Sequence, residues 1–203
     1  VVSGADSGVV RDRVDALAQA LRSGEDWLQL YADRRIRCHL TDLQIRERGS
    51  APHVRDFVAT LVSRWPYFEA PTVTQSVHAL SGAGPHVVTL AGNTGTAEAW
   101  PVLRVTNLGG AVGPIVLSLA SISTTQVLQL GGLSIASGGQ VAVDMREGRI
   151  GDAVGTPTRP SFVDGVFWAL PAGVASTVEV AHTIGAGASL SLVVSWHSAF
   201  PSP

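Results

Sequence analysis

The chain has 203 residues, 45% of them hydrophobic and 15% charged, with a formal net charge of -2. That length holds one large or two modest domains with a sizeable core, and the composition excludes a disordered chain. The near-neutral balance leaves no basic face for nucleic acid, and all 14 basic residues are arginine, so lysine chemistry of the Schiff-base or P-loop kind is excluded.

Residues 8–22 are predicted to form a helix. Val10, Val14, Leu17 and Leu21 make one apolar stripe, Asp6 or Ser7 caps its start and Gly24 ends it. Arg11, Arg13 and Asp15 occupy the opposite face. A strand follows at 27–31, and Asp33-Arg34 suits a turn. In the next strand Ile36, Cys38 and Leu40 face one side and Arg35, Arg37 and His39 the other, with extension expected through Ile45. Cys38 is the only cysteine, so no intrachain disulfide forms; its alternation with Ile36 and Leu40 makes it a core residue. Pro52 is expected to interrupt before a further strand at 56–63.

Charge divides the chain near residue 70. Ten arginines and ten acids lie in residues 1–70, four arginines and six acids in residues 71–203. Pro66 and Pro71 flank Tyr67-Phe68, which places a linker at 68–74 between domains 1–70 and 71–203. Strands are predicted in the second region at 75–80, 86–91, 99–106, 115–119, 127–130, 140–144, 149–150, 165–170, 177–181 and 190–195. Leu190, Leu192, Val194 and Trp196 alternate with small polar residues, as in a half-buried strand. Gly82-Ala83-Gly84-Pro85, Gly109-Gly110, Gly138-Gly139 and Gly185-Ala186-Gly187 mark turns. Many short strands with frequent turns predict two packed sheets. The fold class is therefore mainly β: a partial N-terminal β domain with one α-helix, then a C-terminal antiparallel β-sandwich. No apolar run approaches the roughly 20 residues that span a bilayer, and no basic start precedes an apolar block. Because the chain opens Val1-Val2 without Met, its start is expected to be processed or missing.

Several segments, in this order and spacing, resemble the distal tail proteins, the siphophage baseplate hub family often called Dit. They are Asn93-Thr94-Gly95-Thr96-Ala97-Glu98-Ala99-Trp100-Pro101, Gln129-Leu130-Gly131-Gly132, Gln140-Val141-Ala142-Val143-Asp144-Met145-Arg146, Phe167-Trp168-Ala169-Leu170-Pro171-Ala172-Gly173 and the terminal run ending in Trp196. The helix, then Trp27-Leu28-Gln29-Leu30-Tyr31 and residues 34–42, are similar to the end of that family's N-terminal domain. The resemblance covers most of the chain. It implies a split-barrel-like, ring-forming first domain, here partial, and a sandwich like galectins and carbohydrate-binding modules. It implies a ring, commonly sixfold, at the virion tail tip, assembled in the host cytoplasm. The expected partners are other copies of the chain, the tail tube protein, the tape measure protein, and tail-tip hub and receptor-binding proteins. No cofactor and no enzymatic activity are implied.

His39, His53, His78, His86, His182 and His197 show no paired metal spacing. Gly132-Leu133-Ser134-Ile135-Ala136 lacks the final glycine of a nucleophile elbow, and Gly92-Asn93-Thr94-Gly95-Thr96 lacks the lysine and helix of a P-loop. Glu98 and Asp144 lie on separate strands; Asp144 reads as a turn or strand-end residue, not half of a glycosidase pair. Trp100, Phe167, Trp168 and Trp196 read as core, with Trp100 and Trp168 the candidate glycan contacts if the alternative holds, a carbohydrate-binding module attaching to a host surface. Arg34, Arg35 and Arg37 form a solvated face, or pair with Asp12 and Asp15 of a neighbouring copy at a ring interface.

Overall fold

The structure, a computed structural model, describes residues 2–3, 12–13, 15–16, 18–19, 26–48, 51–82, 84–109, 114–121, 125–152, 157, 162–182 and 189–201. The chain divides into two compact units, Val1–Phe68 and Glu69–Pro201.

In the first unit β1 (Val2–Ser3), β2 (Asp26–Tyr31), β3 (Arg34–Arg48) and β4 (Ala51–Val62) pair antiparallel, β1 on β4, β4 on β3 and β2 on β3. Asp12, Arg13, Asp15, Ala16, Ala18 and Gln19 are helical; the remaining residues of the predicted helix, its stripe and its caps lie outside the described residues. β3 runs well beyond the clear alternation at Ile36, Cys38 and Leu40. The apolar phase slips by one after Leu40, and a bulge at Thr41 absorbs the slip: Leu40 faces Leu61, but Asp42 faces Thr60. The Thr41 hydroxyl donates to the Thr60 carbonyl at 3.0 Å. Leu40, Leu43 and Ile45 thereby share one face with Phe57, Ala59 and Leu61. Pro52 does not interrupt. It lies within β4, where the register shifts between the Glu47–Arg55 and Arg48–Ala51 pairs, a position that needs no ladder donor.

The predicted linker at 68–74 is strand: β5 (Tyr67–Ser81) runs through it, Pro71 included. The second unit continues with β6 (His86–Leu90), β7 (Val102–Asn107), β8 (Pro114–Ser121), β9 (Gln126–Ser134), β10 (Gln140–Asp144), β11 (Arg149–Asp152), β12 (Phe162–Gly165), β13 (Ser176–His182) and β14 (Ser189–Pro201). They build two antiparallel sheets, β5-β14-β7-β10-β11 and β12-β9-β8-β13-β6. Period-2 alternation sends Leu103 and Val105 of β7, Val141 and Val143 of β10, and Leu190, Leu192, Val194 and Trp196 of β14 into a core. Leu128 and Leu130 of β9 and Val178 and Val180 of β13 meet them from the other sheet. The fold is thus a β-sandwich.

The apolar run Val166-Phe167-Trp168-Ala169-Leu170, expected as strand, is not one. β12 ends at Gly165, whose φ is 98° and where an added Cβ would lie 2.0 Å from the Val127 carbonyl oxygen. The chain then leaves the ladder and drops Trp168 and Leu170, both fully buried, into the core. Val166 N–H still donates to the Val127 carbonyl at 3.0 Å, and beyond it a reciprocal pair of hydrogen bonds at 2.7 and 3.0 Å joins Leu170 to Ala99. β7 starts three residues later than expected for a matching reason: Ala99 is used by that bridge, and the carbonyl of Pro101 accepts from the Met145 amide at 3.1 Å.

Gly165→Ala combines a positive φ with a backbone collision, so it is expected to destabilise by at least about 3 kcal/mol. Gly138→Ala has the positive φ, 75°, but nothing within 4 Å of the new methyl. It should cost about 1 kcal/mol. Urea midpoints of the two variants check the ranking.

Candidate functional site

Two buried asparagines position the loops of the second unit. Asn93 Oδ1 accepts from the Gly95 amide at 3.0 Å, and Nδ2 donates to the Ala97 carbonyl at 2.8 Å. Its own carbonyl accepts from Gly173 at 2.8 Å. The Gly92-Asn93-Thr94-Gly95-Thr96 run is therefore a structural loop, tied to the end of β14 by Ala97 N–H donating to Ala199 and by a Thr94–Ser198 hydroxyl pair. Gly95 is required there: a Cβ would lie 2.1 Å from the Ala199 carbonyl oxygen. Asn107, which the sequence did not single out, does the same at the other end. Its Nδ2 donates to Ile135 at 2.9 Å, its Oδ1 accepts from Gly109, and its backbone exchanges bonds with Gly138 and Gly139. A polar residue closing the alternation of β7 was the available signal.

Asp144 is a turn residue, as expected. Its Oδ1 accepts from the amides of Arg146 and Glu147 at 2.9 and 3.0 Å, folding the β10–β11 turn. The turn holds Arg146 against Glu69 at the start of β5, an ion pair with both side chains mostly buried. Ser134 of the supposed elbow is exposed between the buried Leu133 and Ile135, in a plain strand end.

The outward residues of β7, β10 and β11 line a cleft of about 500 Å³. Val102 and Ala142 are its outward apolar residues, Arg104, Asp144 and Arg149 its outward polar ones, and Ile150, Asp152 and Pro157 border it. Such a lining can bind a polar, uncharged ligand through paired donors and acceptors. Among the described residues no group of three or more His, Cys, Asp or Glu could hold a metal ion, and no helix is long and apolar enough to cross a membrane.

The candidate glycan contacts do not form a stacking platform. Trp168 is fully buried in the core and has no face to offer, and Trp100 packs partly buried against the same core. The apolar alternation that made them core candidates prevails.

The predicted interface residues lie in the first unit. Arg34 reaches Asp33 at 3.6 Å, an exposed pair of small energetic weight. The Arg35 guanidinium lies 4.0 Å above the Trp27 ring, a cation–π contact between β3 and β2. Arg37 stands opposite Trp27 in the β2–β3 register and is exposed. Asp12 and Asp15 are exposed on helical residues. The sequence missed a larger feature: Leu40, Leu43, Phe57, Ala59 and Leu61 on one face of the β3–β4 hairpin are only half-buried, and Ile45 is 43% exposed. The slip at Thr41 hid this stripe from a strict period-2 reading.

No family model matches the sequence, and no curated protein matches it. Among solved structures, the crystal structure of SPP1 Dit (gp 19.1) is similar, with a TM-score of 0.63 at 15% identity over 98% of this chain and 75% of that one. That protein is described as a paradigm of the hub adsorption apparatus in phages infecting Gram-positive hosts. At this identity the likeness is one of fold, and it makes the present fold Dit-like.

The Glu69–Arg146 pair gives a direct test of the site's frame. Glu69→Ala removes a charged partner from a mostly buried guanidinium and should cost about 3 kcal/mol. Glu69→Leu combined with Arg146→Met should recover most of that loss, as a double-mutant cycle by chemical denaturation will show.

Proposed function

We propose that this chain is a structural component of a phage tail tip, a hub that self-associates through its first unit into a ring. In this reading the ring joins the tail tube to tip and receptor-binding components, with the tape measure protein ending against it. The observation that carries the reading is the Dit-like fold over nearly the whole chain. The half-buried apolar stripe of the β3–β4 hairpin supports it: a strand pair with one apolar face gains by covering that face. Head-to-tail contacts between identical subunits close into a ring when the rotation permits, and a permanent hub interface buries on the order of 2,000 Å² or more. Arg34, Arg35 and Arg37 on one copy are proposed to face Asp12 and Asp15 on the next.

Intact chain at high concentration should form one closed species by mass photometry and electron microscopy. Ile45→Asp should shift it to monomer, whereas Val87→Asp, at a more exposed position in the second unit, should leave it assembled. A persistent monomer, correctly folded, counts against the ring.

The cleft on β7, β10 and β11 supports a second reading, in which the second unit binds a host glycan through hydrogen bonds instead of aromatic stacking. Arg104→Ala should then abolish glycan-array binding with the urea midpoint unchanged, Arg104 being an exposed strand residue.

A further inference from the structure

The inward rungs of the β6–β13 pair run from Leu90 opposite the buried Ser176 to an end that carries histidines. Val88 faces Val178, both buried, and the next inward positions are His86, paired with Val180, and His182 beyond it. An imidazole pair therefore closes this end of the sandwich. The two Nε2 atoms are 3.1 Å apart, and the rings are 25° from parallel with centroids 5.2 Å apart. Each ring thus directs the same nitrogen toward the other, the arrangement that a shared proton or a shared metal ion requires.

From this geometry we propose that His86 and His182 chelate a divalent transition-metal ion, zinc above all, between their Nε2 atoms. Zn–N bonds of about 2.0–2.1 Å at a tetrahedral angle set two ligating nitrogens about 3.3 Å apart. A square-planar cis pair, as copper or nickel prefers, sets them about 2.9 Å apart. The observed spacing falls between these values, so an ion enters with only a small adjustment of each ring. The pair sits on two hydrogen-bonded strands, which fixes the spacing before any ion arrives. Both rings are part-buried, so neither is swept away by solvent. No third His, Cys, Asp or Glu joins the pair among the described residues, so water fills the remaining positions. This inference is independent of the tail-tip reading.

Zinc chloride titrated into the intact chain, followed by the ring resonances of all six histidines, tests it. The expected result is a saturable one-to-one shift confined to His86 and His182, a raised thermal midpoint, and loss of both effects in His182→Gln. His78→Ala, whose ring contacts Ser76 away from the pair, should bind as the parent does. Shifts spread over other histidines, or no saturable shift in the folded parent, overturn the proposal and leave the pair as an N–H···N hydrogen bond. The titration of the parent decides the matter even if His182→Gln fails to fold.

Discussion

The second unit depends on one constraint: two antiparallel sheets must bury their inward side chains against each other and nothing else. The alternation is strict enough that β7, β10, β13 and β14 each present every second residue to the core. Each fully buried leucine or valine contributes about 1.5–3 kcal/mol, so no staple is needed for this unit to be stable. Trp168 shows how strongly the constraint acts. It enters from a segment with no ladder of its own, because the space between the sheets takes a large ring there.

Filling the core from a loop has a consequence. Segments outside the ladders carry backbone groups that the sheets cannot satisfy, and buried groups of that kind must find partners. The buried Asn93 and Asn107 answer this, each with donors and acceptors aimed at loop backbone. Asp144 does the same for the β10–β11 turn at the rim of the cleft. Several polar residues of the second unit are thus committed to holding loops, and the glycine-rich run 92–96 is one of the loops so held. What remains for recognition is the outward face of β7, β10 and β11, where Arg104 and Arg149 project from the sheet.

Much of this was legible in the residues. Period-2 alternation located the ladder strands, and β10 was found to the residue, because each has one buried and one exposed face. Alternation failed where tertiary context overrode it. The run 166–170 is apolar like a strand, but Gly165 turns the chain out of the ladder. Pro71 and Pro52 suggested breaks, yet β5 and β4 continue through them; proline forbids a ladder donor, not an extended backbone. The Trp27–Arg35 contact and the His86–His182 pair depend on cross-strand register, which no local pattern encodes.

The first unit differs in kind, and the difference bears on its role. Its arginines and acids are mostly surface residues, and its apolar side chains gather on a hairpin face without reaching full burial. Among the described residues of this unit Ala18, Cys38 and Phe68 are buried, while Ile36 and Leu40 are half-buried. A bulge at Thr41 interrupts the ladder there but returns Leu43 and Ile45 to the same face as Leu40. A slip left uncorrected would have placed those side chains among Asp42, Gln44 and Arg46, where they would interrupt a polar surface. The hairpin therefore keeps its apolar stripe continuous from Leu40 to Ile45, and the self-association proposed above draws on that continuity as well as on the shape of the fold.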